Sequence, residues 1–545
     1  MTKTTKVLQI DARDNVAVAL EELSAGAEIA LRGGTLRAVE TVPAKHKIAL
    51  EPMAAGAAVT MYGVLVGRAR TAIAAGARLT TANVAHEASA YSERKREAYA
   101  WTKPDVERWR TTTFEGYHRA DGQVGTRNYW LVIPLVFCEN RNVEALREAF
   151  EEELGYSGSK AHRAQVRRLV AKLRSEEEES AGSEKTGRAR RVFERIDGIR
   201  FLTHQGGCGG TREDARSLCG LLAGYIHHPN VAGATVLSLG CQNAQPTMLR
   251  EELEKRGERG KPVLIYSQQE AGTEQALLEQ AIEETFAELE KANAMERRPA
   301  PLTALTVGLK CGGSDGFSGI SANPAIGHLS DLLVALGGRT ILSEFPELCG
   351  VEQELIDRCE TEEAAERFAG LMREYEARAR AVHSGFEMNP SPGNIRDGLL
   401  TDAMKSAGAA RKGGTAPVAD VLDYPEYVRR EGLTLLCTPG NDVEAVTGQV
   451  GAGANLVLFT TGLGTPTGNP IAPVMKLATN AALAAHMPDI IDVDTSAILS
   501  GELTVEQMGE RILAEVVEVA SGRRQTKAEA LRQDDFIPWK RGVSL

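Results

Sequence analysis

Residues 305–328 read LTVGLKCGGSDGFSGISANPAIGH, and this stretch decides the fold of the chain. It begins as a short apolar run and breaks at Lys310 and Cys311, after which glycines alternate with serines and Asp315. A buried strand that stops at glycines leaves backbone N–H groups free to approach an anion. An amine, a thiol and a carboxylate so close to a strand end indicate the edge of an active site. The alternative is a Gly-rich turn with one buried cysteine, which is less favoured because the same pattern recurs.

The unit of a short apolar strand followed by a polar end is repeated along the chain. Candidate strands lie at residues 199–203, 234–239, 263–266, 339–342, 433–437 and 455–459. Because helical segments alternate with them, we expect parallel α/β sheets, whose ligands bind beyond the carboxyl ends of the strands. The polar groups at these ends therefore indicate an enzyme. They are His204, Cys208, Cys241, Cys311, Asp315, Glu344, Glu347 and Asp442.

The chemistry of this set is that of a metal site. Thiolate, imidazole and carboxylate groups suit iron or zinc, whereas carboxylates alone suit magnesium or manganese. The spacings match no compact CxxC or HExxH signature, and a single cysteine is more often a small buried hydrophobe. The chain also has no GxSxG elbow, Walker loop or GxGxxG opening a first helix, which disfavours hydrolase and nucleotide-binding functions.

Length and composition limit the remaining possibilities. A chain of 545 residues predicts two to four domains. The net charge of −11 is spread out without a basic face, which argues against nucleic acid as a partner. No segment approaches the roughly 20 apolar residues of a membrane span, so we expect no membrane partner and a cytoplasmic location. The eight cysteines are too sparse for a disulfide framework and are expected to be reduced.

Changes in composition predict the domain organisation. Residues 1–90 contain short strands between AAG or SAG turns at Gly26, Gly56 and Gly76, and should fold independently. Residues 91–112 read as a polar linker, which leaves a middle domain at 113–300 and a C-terminal domain at 301–545. The highly charged region 151–195 contains a Glu run that indicates a solvated helix face or loop.

Several long segments of the chain together resemble a known family. The segments are GYHRADGQVGTRNYW, THQGGCGG, LKCGGSDGFSGISANPAIG, ILSEFPELCGVE, NPSPGN at 389–394, and TPGNDVEAVTGQVGAGANLVLFTTGLGTPTGNPIAPV. They resemble the altronate/galactarate dehydratases, and the resemblance covers nearly the whole chain, including an N-terminal module similar to a SAF domain. Within the family, FTTGLGTPTGNPIAPV and NPSPGN are more like the members that act on altronate.

The resemblance implies an architecture and an activity. The architecture is an α/β protein with a β-clip module in front, a middle domain able to form a homodimer contact, and a C-terminal Rossmann-like domain that holds a metal. The implied cofactor is Fe²⁺, with Mn²⁺ or another divalent metal as alternatives, and no nicotinamide. The implied partner is a small-molecule sugar-acid substrate, and the implied reaction converts D-altronate to 2-dehydro-3-deoxy-D-gluconate and water. Alternatives are a galactarate or other aldarate dehydratase, a sulfolactate-type sulfo-lyase, and a non-catalytic sugar-acid-binding protein.

Removing the C2 proton and the C3 hydroxyl requires a base, an acid and stabilisation of the enediolate. His46 begins a strand of the N-terminal module, where it is either a surface histidine or a side chain presented to a neighbouring active site. The expected catalytic residues are Lys310, His46 and Asp315. The expected metal ligands are His204, Cys208, Cys241, Cys311 and Glu344. The expected substrate-binding residues are Gly312, Gly313, Ser314, Gly440, Asn441, Thr461, Thr465 and Asn469.

Overall fold

A computed structural model describes residues 6–31, 34–91, 96–158, 161–174, 190–257 and 260–544. The chain folds into two compact units. The N-terminal region and the C-terminal region both belong to the first unit. The first unit comprises Met1–Arg127, Gly220–Asn230 and Arg297–Arg541, and the second comprises Asn128–Cys219, Val231–Glu296 and Gly542–Leu545. The predicted boundaries at 90, 112 and 300 stay a prediction.

The N-terminal region is built from short antiparallel strands. They form the sheets β1-β2-β5, β3-β4 and β6-β7-β8. The predicted turn glycines Gly26, Gly56 and Gly76 have φ of 81°, 82° and 82°, a conformation that glycine adopts without strain. The strands are β1 (Val7–Leu8), β2 (Val16–Ala19), β3 (Glu28–Leu31), β4 (Gly34–Arg37), β5 (Lys47–Ala49), β6 (Ala58–Met61), β7 (Val64–Ala69) and β8 (Val84–Ala85).

The N-terminal strands share a hydrophobic core with the C-terminal region. Met61 and Val66 belong to the same buried cluster as Phe317, Leu342 and Met404. Separating the two regions would expose this cluster to water, at a cost of roughly 25 cal/mol per Å² of apolar surface. Part of the core of residues 1–90 is thus supplied by the C-terminal region, and independent folding of these residues stays a prediction.

The predicted linker is part of the first unit and contains little regular structure, but its described residues form hydrogen bonds with the C-terminal region. Tyr99 Oη donates to Thr415 O at 2.6 Å, and Trp101 Nε1 donates to Thr415 Oγ1 at 3.2 Å. Upstream, the Glu97 N–H donates to Asp357 Oδ1 at 2.9 Å. Residues 92–95 of the predicted linker lie outside the described residues.

A small antiparallel sheet follows the linker in the first unit. Its order is β10-β9-β15, so that strands separated by almost two hundred positions in the chain pair directly. The strands are β9 (Thr113–His118), β10 (Val124–Gly125) and β15 (Arg297–Pro301).

The second unit is organised around a four-stranded parallel sheet of order β12-β11-β13-β14. Residues 159–160 and 175–189 of the predicted charged region, including its Glu run, lie outside the described residues. The strands are β11 (Tyr129–Pro134), β12 (Gly198–Phe201), β13 (Val231–Ser238) and β14 (Val263–Ser267). The helices are α1 (Asn140–Glu153), α2 (Ala161–Leu173), α3 (Arg212–His227), α4 (Pro246–Arg256), α5 (Gln268–Ala271) and α6 (Glu274–Ala292). The C-terminal part of α3, from Gly220 on, belongs to the first unit.

A seven-stranded parallel sheet forms the C-terminal region, in the order β18-β19-β17-β16-β20-β21-β22. Its strands are β16 (Thr306–Cys311), β17 (Arg339–Leu342), β18 (Val418–Leu422), β19 (Gly432–Leu436), β20 (Leu456–Thr461), β21 (Val474–Ala478) and β22 (Val493–Asp494). The helices are α7 (Ala322–Leu336), α8 (Glu352–Arg358), α9 (Glu362–Ala381), α10 (Pro392–Arg396), α11 (Asp402–Ala410), α12 (Asp442–Gly451), α13 (Ala481–His486), α14 (Val505–Ala520) and α15 (Lys527–Leu531).

The order of this sheet indicates where a ligand would bind. All six residues of β16 are buried, as its apolar sequence predicts for a central strand. The chain continues from β16 to β17 on one side, and from β20 to β21 on the other. The carboxyl ends of β16 and β20 therefore flank a topological switch point, where open α/β sheets bind ligands. Among the described helices, none combines the length and the apolar character that crossing a bilayer requires.

Candidate active site

The end of β16 carries a buried lysine and a buried cysteine. The ammonium group of Lys310 is almost fully enclosed and donates to Cys311 O at 2.6 Å. It also forms ion pairs with Glu344 and, at 2.9 Å, with Asp442 Oδ1. Glycine at position 312 makes this approach possible, because a Cβ there would lie 2.3 Å from Asp442 Oδ1.

The end of the neighbouring strand β17 supplies two carboxylates. Glu344 has a φ of 71°, a left-handed conformation that a side-chain-bearing residue adopts only under constraint. Glu347 follows in the next turn and is also buried. Cys311 Sγ donates to Glu347 Oε2 at 3.6 Å.

These three side chains form a group with metal-binding geometry. One sulfur and two carboxylate oxygens from Cys311, Glu344 and Glu347 all lie within 4.8 Å of one another. Glu344 Oε2 is buried and has no hydrogen-bond partner among the described residues, although Lys412 Nζ lies 3.5 Å away. A buried oxygen of this kind is costly unless something binds it. The donor set suits a divalent transition metal.

Two further lysines and an asparagine complete the site, and the sequence analysis missed all three. Lys412 Nζ donates to Cys311 Sγ at 2.8 Å. Lys405 Nζ donates to Glu347 Oε1 at 2.7 Å and to Asn389 Oδ1 at 2.6 Å. A signal for Lys405 was present, since it is the single charged residue in the otherwise small and apolar run AMKSAGAA of α11.

Burial and the opposite charges of neighbours determine the ionisation of the site. Burial opposes the charge on Lys310, but Asp442 and Glu344 outweigh it and raise its pKa well above the ordinary value. Burial, with the charge of Glu347, raises the pKa of Glu344. Burial also opposes ionisation of Glu347, but the charge of Lys405 outweighs it and lowers the pKa of that carboxyl. Lys310 is therefore an ammonium group at neutral pH and a weak acid, which would give up its proton only to a strong base.

Two of the predicted substrate-binding residues lie close to this site, Gly440 through its contacts and Gly313 through its position two residues after Cys311. Gly440 is near it, because a Cβ there would meet Asn389 Nδ2 at 3.0 Å and Glu347 at 3.4 Å. Gly313 packs beside the hydroxyls of Thr461 and Thr465, each 3.1 Å from the position of its missing Cβ.

Of the other predicted substrate-binding residues, three have hydrogen bonds within the protein, and the side chain of the fourth has none among the described residues. The Gly312 N–H donates to Thr460 O at 3.0 Å and is not free for an anion. Asn441 caps α12, and Asn469 is buried with its amide donating to Tyr225 Oη at 2.9 Å. The buried hydroxyl of Ser314 has no hydrogen-bond partner among the described residues, so it remains available to a ligand.

Asp315 is the centre of a second buried cluster. Its carboxylate accepts hydrogen bonds from Ser318 and Thr479, both at 3.0 Å, and from Asn480 at 3.2 Å. Lys45 of the N-terminal region forms an ion pair with it at 3.1 Å. The carboxylate is therefore occupied in fixing the Gly-rich segment and the turn before β5.

His46 lies on that same turn. Its Nε2 donates to Arg396 O at 3.1 Å, and its Nδ1 is buried with no hydrogen-bond partner among the described residues. Burial lowers the pKa of this imidazole. A neutral histidine with a free ring nitrogen is suited to accept a proton.

His204, Cys208 and Cys241 belong to the second unit. His204 Nε2 donates to Pro134 O at 2.7 Å, and its Nδ1 accepts from the Gly206 N–H at 3.1 Å. Neither ring nitrogen is thus free for a metal in this conformation. The prediction that these residues share one metal with Cys311 stays a prediction.

Comparisons with known proteins give consistent matches over the chain. Residues 5–87 match the altronate/galactarate dehydratase SAF domain, and residues 116–293 match the D-galactarate dehydratase/altronate hydrolase second domain. Residues 302–544 match the D-galactarate/altronate dehydratase C-terminal domain.

Relatives match over nearly their whole length. The altronate dehydratase of Escherichia coli (strain K12) is 33% identical over 538 residues, 99% of each chain. The altronate dehydratase of Bacillus subtilis (strain 168) is 32% identical over 523 residues, 95% of each chain. The galactarate dehydratase (L-threo-forming) of E. coli is 29% identical over 531 residues, 96% of this chain and 94% of the relative.

Proposed function

The chain belongs to the D-galactarate/altronate dehydratase family, and we propose that it is a hydro-lyase that converts D-altronate to 2-dehydro-3-deoxy-D-gluconate and water. Near-full-length similarity to two altronate dehydratases carries this proposal. The similarity to the galactarate dehydratase is lower, at 29% identity, which favours the monocarboxylate substrate. A monocarboxylate also needs only one anion-binding region in the site.

Cys311, Glu344 and Glu347 would hold a divalent metal, for which Fe²⁺ is the proposed identity. The buried Glu344 oxygen without a hydrogen-bond partner and the mixed sulfur and oxygen donor set fit such an ion. When bound, the metal would supply Lewis-acid stabilisation of negative charge on the substrate. Burial raises the pKa of the Cys311 thiol, so its proton would be released on binding of the metal, and the neighbouring ammonium group of Lys412 would stabilise the thiolate.

Two side chains are assigned to the proton transfers. His46 Nδ1 would accept the proton from C2, since it is free and the ring is neutral. The Lys310 ammonium would donate its proton to the C3 oxygen as the C–O bond breaks, because a departing hydroxide is a strong enough base to take it, and the oxygen leaves as water. Tautomerisation of the enol then places a proton on C3. Lys405 would offset the negative charge of the substrate carboxylate.

The finer structural assignments belong to the same proposal. We propose that the N-terminal region is a β-clip and that the seven-stranded sheet is a Rossmann-like variant. A homodimer, which the family resemblance implies, can be measured by sedimentation equilibrium.

The test is a panel of sugar acids assayed under anaerobic, iron-supplemented conditions, with formation of the 2-keto-3-deoxy acid as the readout. We expect kcat/KM for D-altronate to be well above that for galactarate. A higher value for galactarate would overturn the substrate assignment and leave the reaction class in place. Release of sulfite from sulfolactate, with no turnover of either sugar acid, would overturn the reaction class.

A further inference from the structure

Three cysteines of the second unit lie at one edge of its parallel sheet. Cys138 follows β11, Cys208 follows β12 and Cys241 follows β13. These strands are direct neighbours in the order β12-β11-β13 and run parallel, so their carboxyl ends meet at the same edge. Among the eight cysteines, all within the described residues, these three are the exposed ones.

Hydrogen bonds join the loops that carry the three thiols. The Phe137 N–H, next to Cys138, donates to Gly206 O at 3.1 Å. On the other side, the Ala244 N–H donates to Gly207 O at 3.0 Å. The loop of Cys208 is thus bonded to both of the other loops, and the thiols are held on a common frame.

Glycines surround the thiols on this frame. Gly207 and Gly209 flank Cys208 with φ of 96° and 67°, and Gly240 precedes Cys241 with φ of 126°. A Cβ on Gly207 would lie 2.3 Å from Leu135 O, so only glycine lets these loops pack. Backbone segments with glycines in such conformations can turn successive N–H groups toward a common anion, and many iron–sulfur sites lie in backbone concavities of this kind.

We propose that Cys138, Cys208 and Cys241 bind a [4Fe–4S] cluster through three thiolates. Thiolates are the ligands that iron–sulfur clusters prefer, and each thiol would release its proton on binding. The three sulfur atoms do not all lie within 4.8 Å of one another. A single ion would need them closer, whereas a cluster places iron and sulfide between them.

The fourth iron of this cluster would keep an exchangeable ligand. The other cysteine of the second unit, Cys219, is fully buried in α3, and burial raises the pKa of its thiol to about 12. It is therefore a packing residue. The three thiols of the proposed cluster belong to the second unit, whereas Cys311, Glu344 and Glu347 belong to the first.

The test is reconstitution of the full chain with equal amounts of Fe²⁺ and Fe³⁺ and with sulfide under anaerobic conditions, which supplies the two ferrous and two ferric ions of a [4Fe–4S]²⁺ cluster. Iron and acid-labile sulfide per chain are measured, together with the visible absorption and the Mössbauer spectrum. We expect about four labile sulfides per chain in the parent. Cys138→Ala, Cys208→Ala and Cys241→Ala should each lose most of the sulfide, whereas the control Cys219→Ala should keep it.

Cys311→Ser separates this site from the proposed catalytic one. It should keep the labile sulfide, whatever happens to its dehydratase activity. A parent without labile sulfide, or a triple variant that binds as much as the parent, would overturn the proposal. So would iron bound at the three thiols without sulfide, which indicates a single ion, or a disulfide between two of them in the anaerobic protein.

Discussion

Lys47 is a fully buried lysine whose ammonium group donates to two backbone carbonyls. The acceptors are Gly398 O at 2.6 Å and Lys45 O at 3.1 Å. Burial lowers the pKa of Lys47 from 10.5 to about 7. The unfolded chain therefore binds one proton more than the folded chain between these two pKa values, and the stability of the fold must rise with pH across this interval.

Lys47→Met removes this proton linkage. In the parent, the free energy of unfolding should rise between pH 7 and pH 9 with a contribution from Lys47 of about 1.4 kcal/mol per pH unit. The variant should lack that part of the slope, whatever its absolute stability. Urea unfolding at several pH values measures both slopes. Equal slopes in parent and variant would show that Lys47 keeps an ordinary pKa.

Two buried carboxylates near β16 should respond differently to loss of charge. Residues that only orient a metal ligand typically change the metal affinity by roughly 10–100-fold when they are mutated. Glu344→Gln should lower the affinity for iron by more than this, because it removes a proposed ligand. Asp315→Asn should leave iron binding near normal but cost about 2–3 kcal/mol of stability, because Lys45 and the side chains of Thr479 and Asn480 lose their charged acceptor. Metal titration and thermal melting of both variants measure the difference. Normal iron affinity in Glu344→Gln would remove that residue from the metal site.

At the scale of elements, the contact between α3 and α12 depends on glycine. A Cβ on Gly224 would lie 2.0 Å from Gly451 O, a backbone atom that can move only if a helix shifts. Gly224→Ala should therefore lower the stability of the first unit by about 1–3 kcal/mol.

Gly370→Ala is the matched control for this substitution. Gly370 lies within α9, and nothing would come within 4 Å of a Cβ there. Alanine should stabilise this helix by about 0.5–1 kcal/mol. Chemical denaturation of both variants gives the comparison. Similar effects of the two substitutions would show that the helix contact tolerates a methyl group.

The elements that bear the site follow from local sequence, but the complete site does not. Apolar runs predicted the strands at 306–311 and 456–461 to within a few residues, because a strand buried on both faces has a recognisable composition. Strand adjacency then brings Cys311 and Glu344 together. Lys405 and Lys412 come from α11 and the turn after it, and only packing against the sheet places them at its edge.

The N-terminal region illustrates a further limit of sequence patterns. Its turns were recognisable from glycine spacing, since a positive φ at Gly26 or Gly56 leaves a local trace. Nothing local shows that Met61 packs into a cluster with Phe317, because that contact joins residues far apart in the chain.

At the scale of the whole molecule, the shared core predicts that the N-terminal and C-terminal regions unfold together. Met61→Ala, in the shared cluster, should cost about 2–5 kcal/mol and lower the melting temperature of the entire first unit. Leu36→Ala, in a cluster formed by N-terminal residues, is the comparison. Scanning calorimetry should show one transition for the first unit in both variants. A separate small transition that alone shifts would indicate an independent N-terminal domain.

The first unit is assembled from three separate stretches of the chain, and this has a consequence for its synthesis. When the ribosome has made the first 127 residues, the partners of their buried surface, such as Phe317 and Met404, do not yet exist. At typical elongation rates, roughly 10–30 s pass before the chain extends from residue 127 to residue 297. In that interval the nascent N-terminal strands expose an apolar face, and they are the segment on which a ribosome-associated chaperone would act.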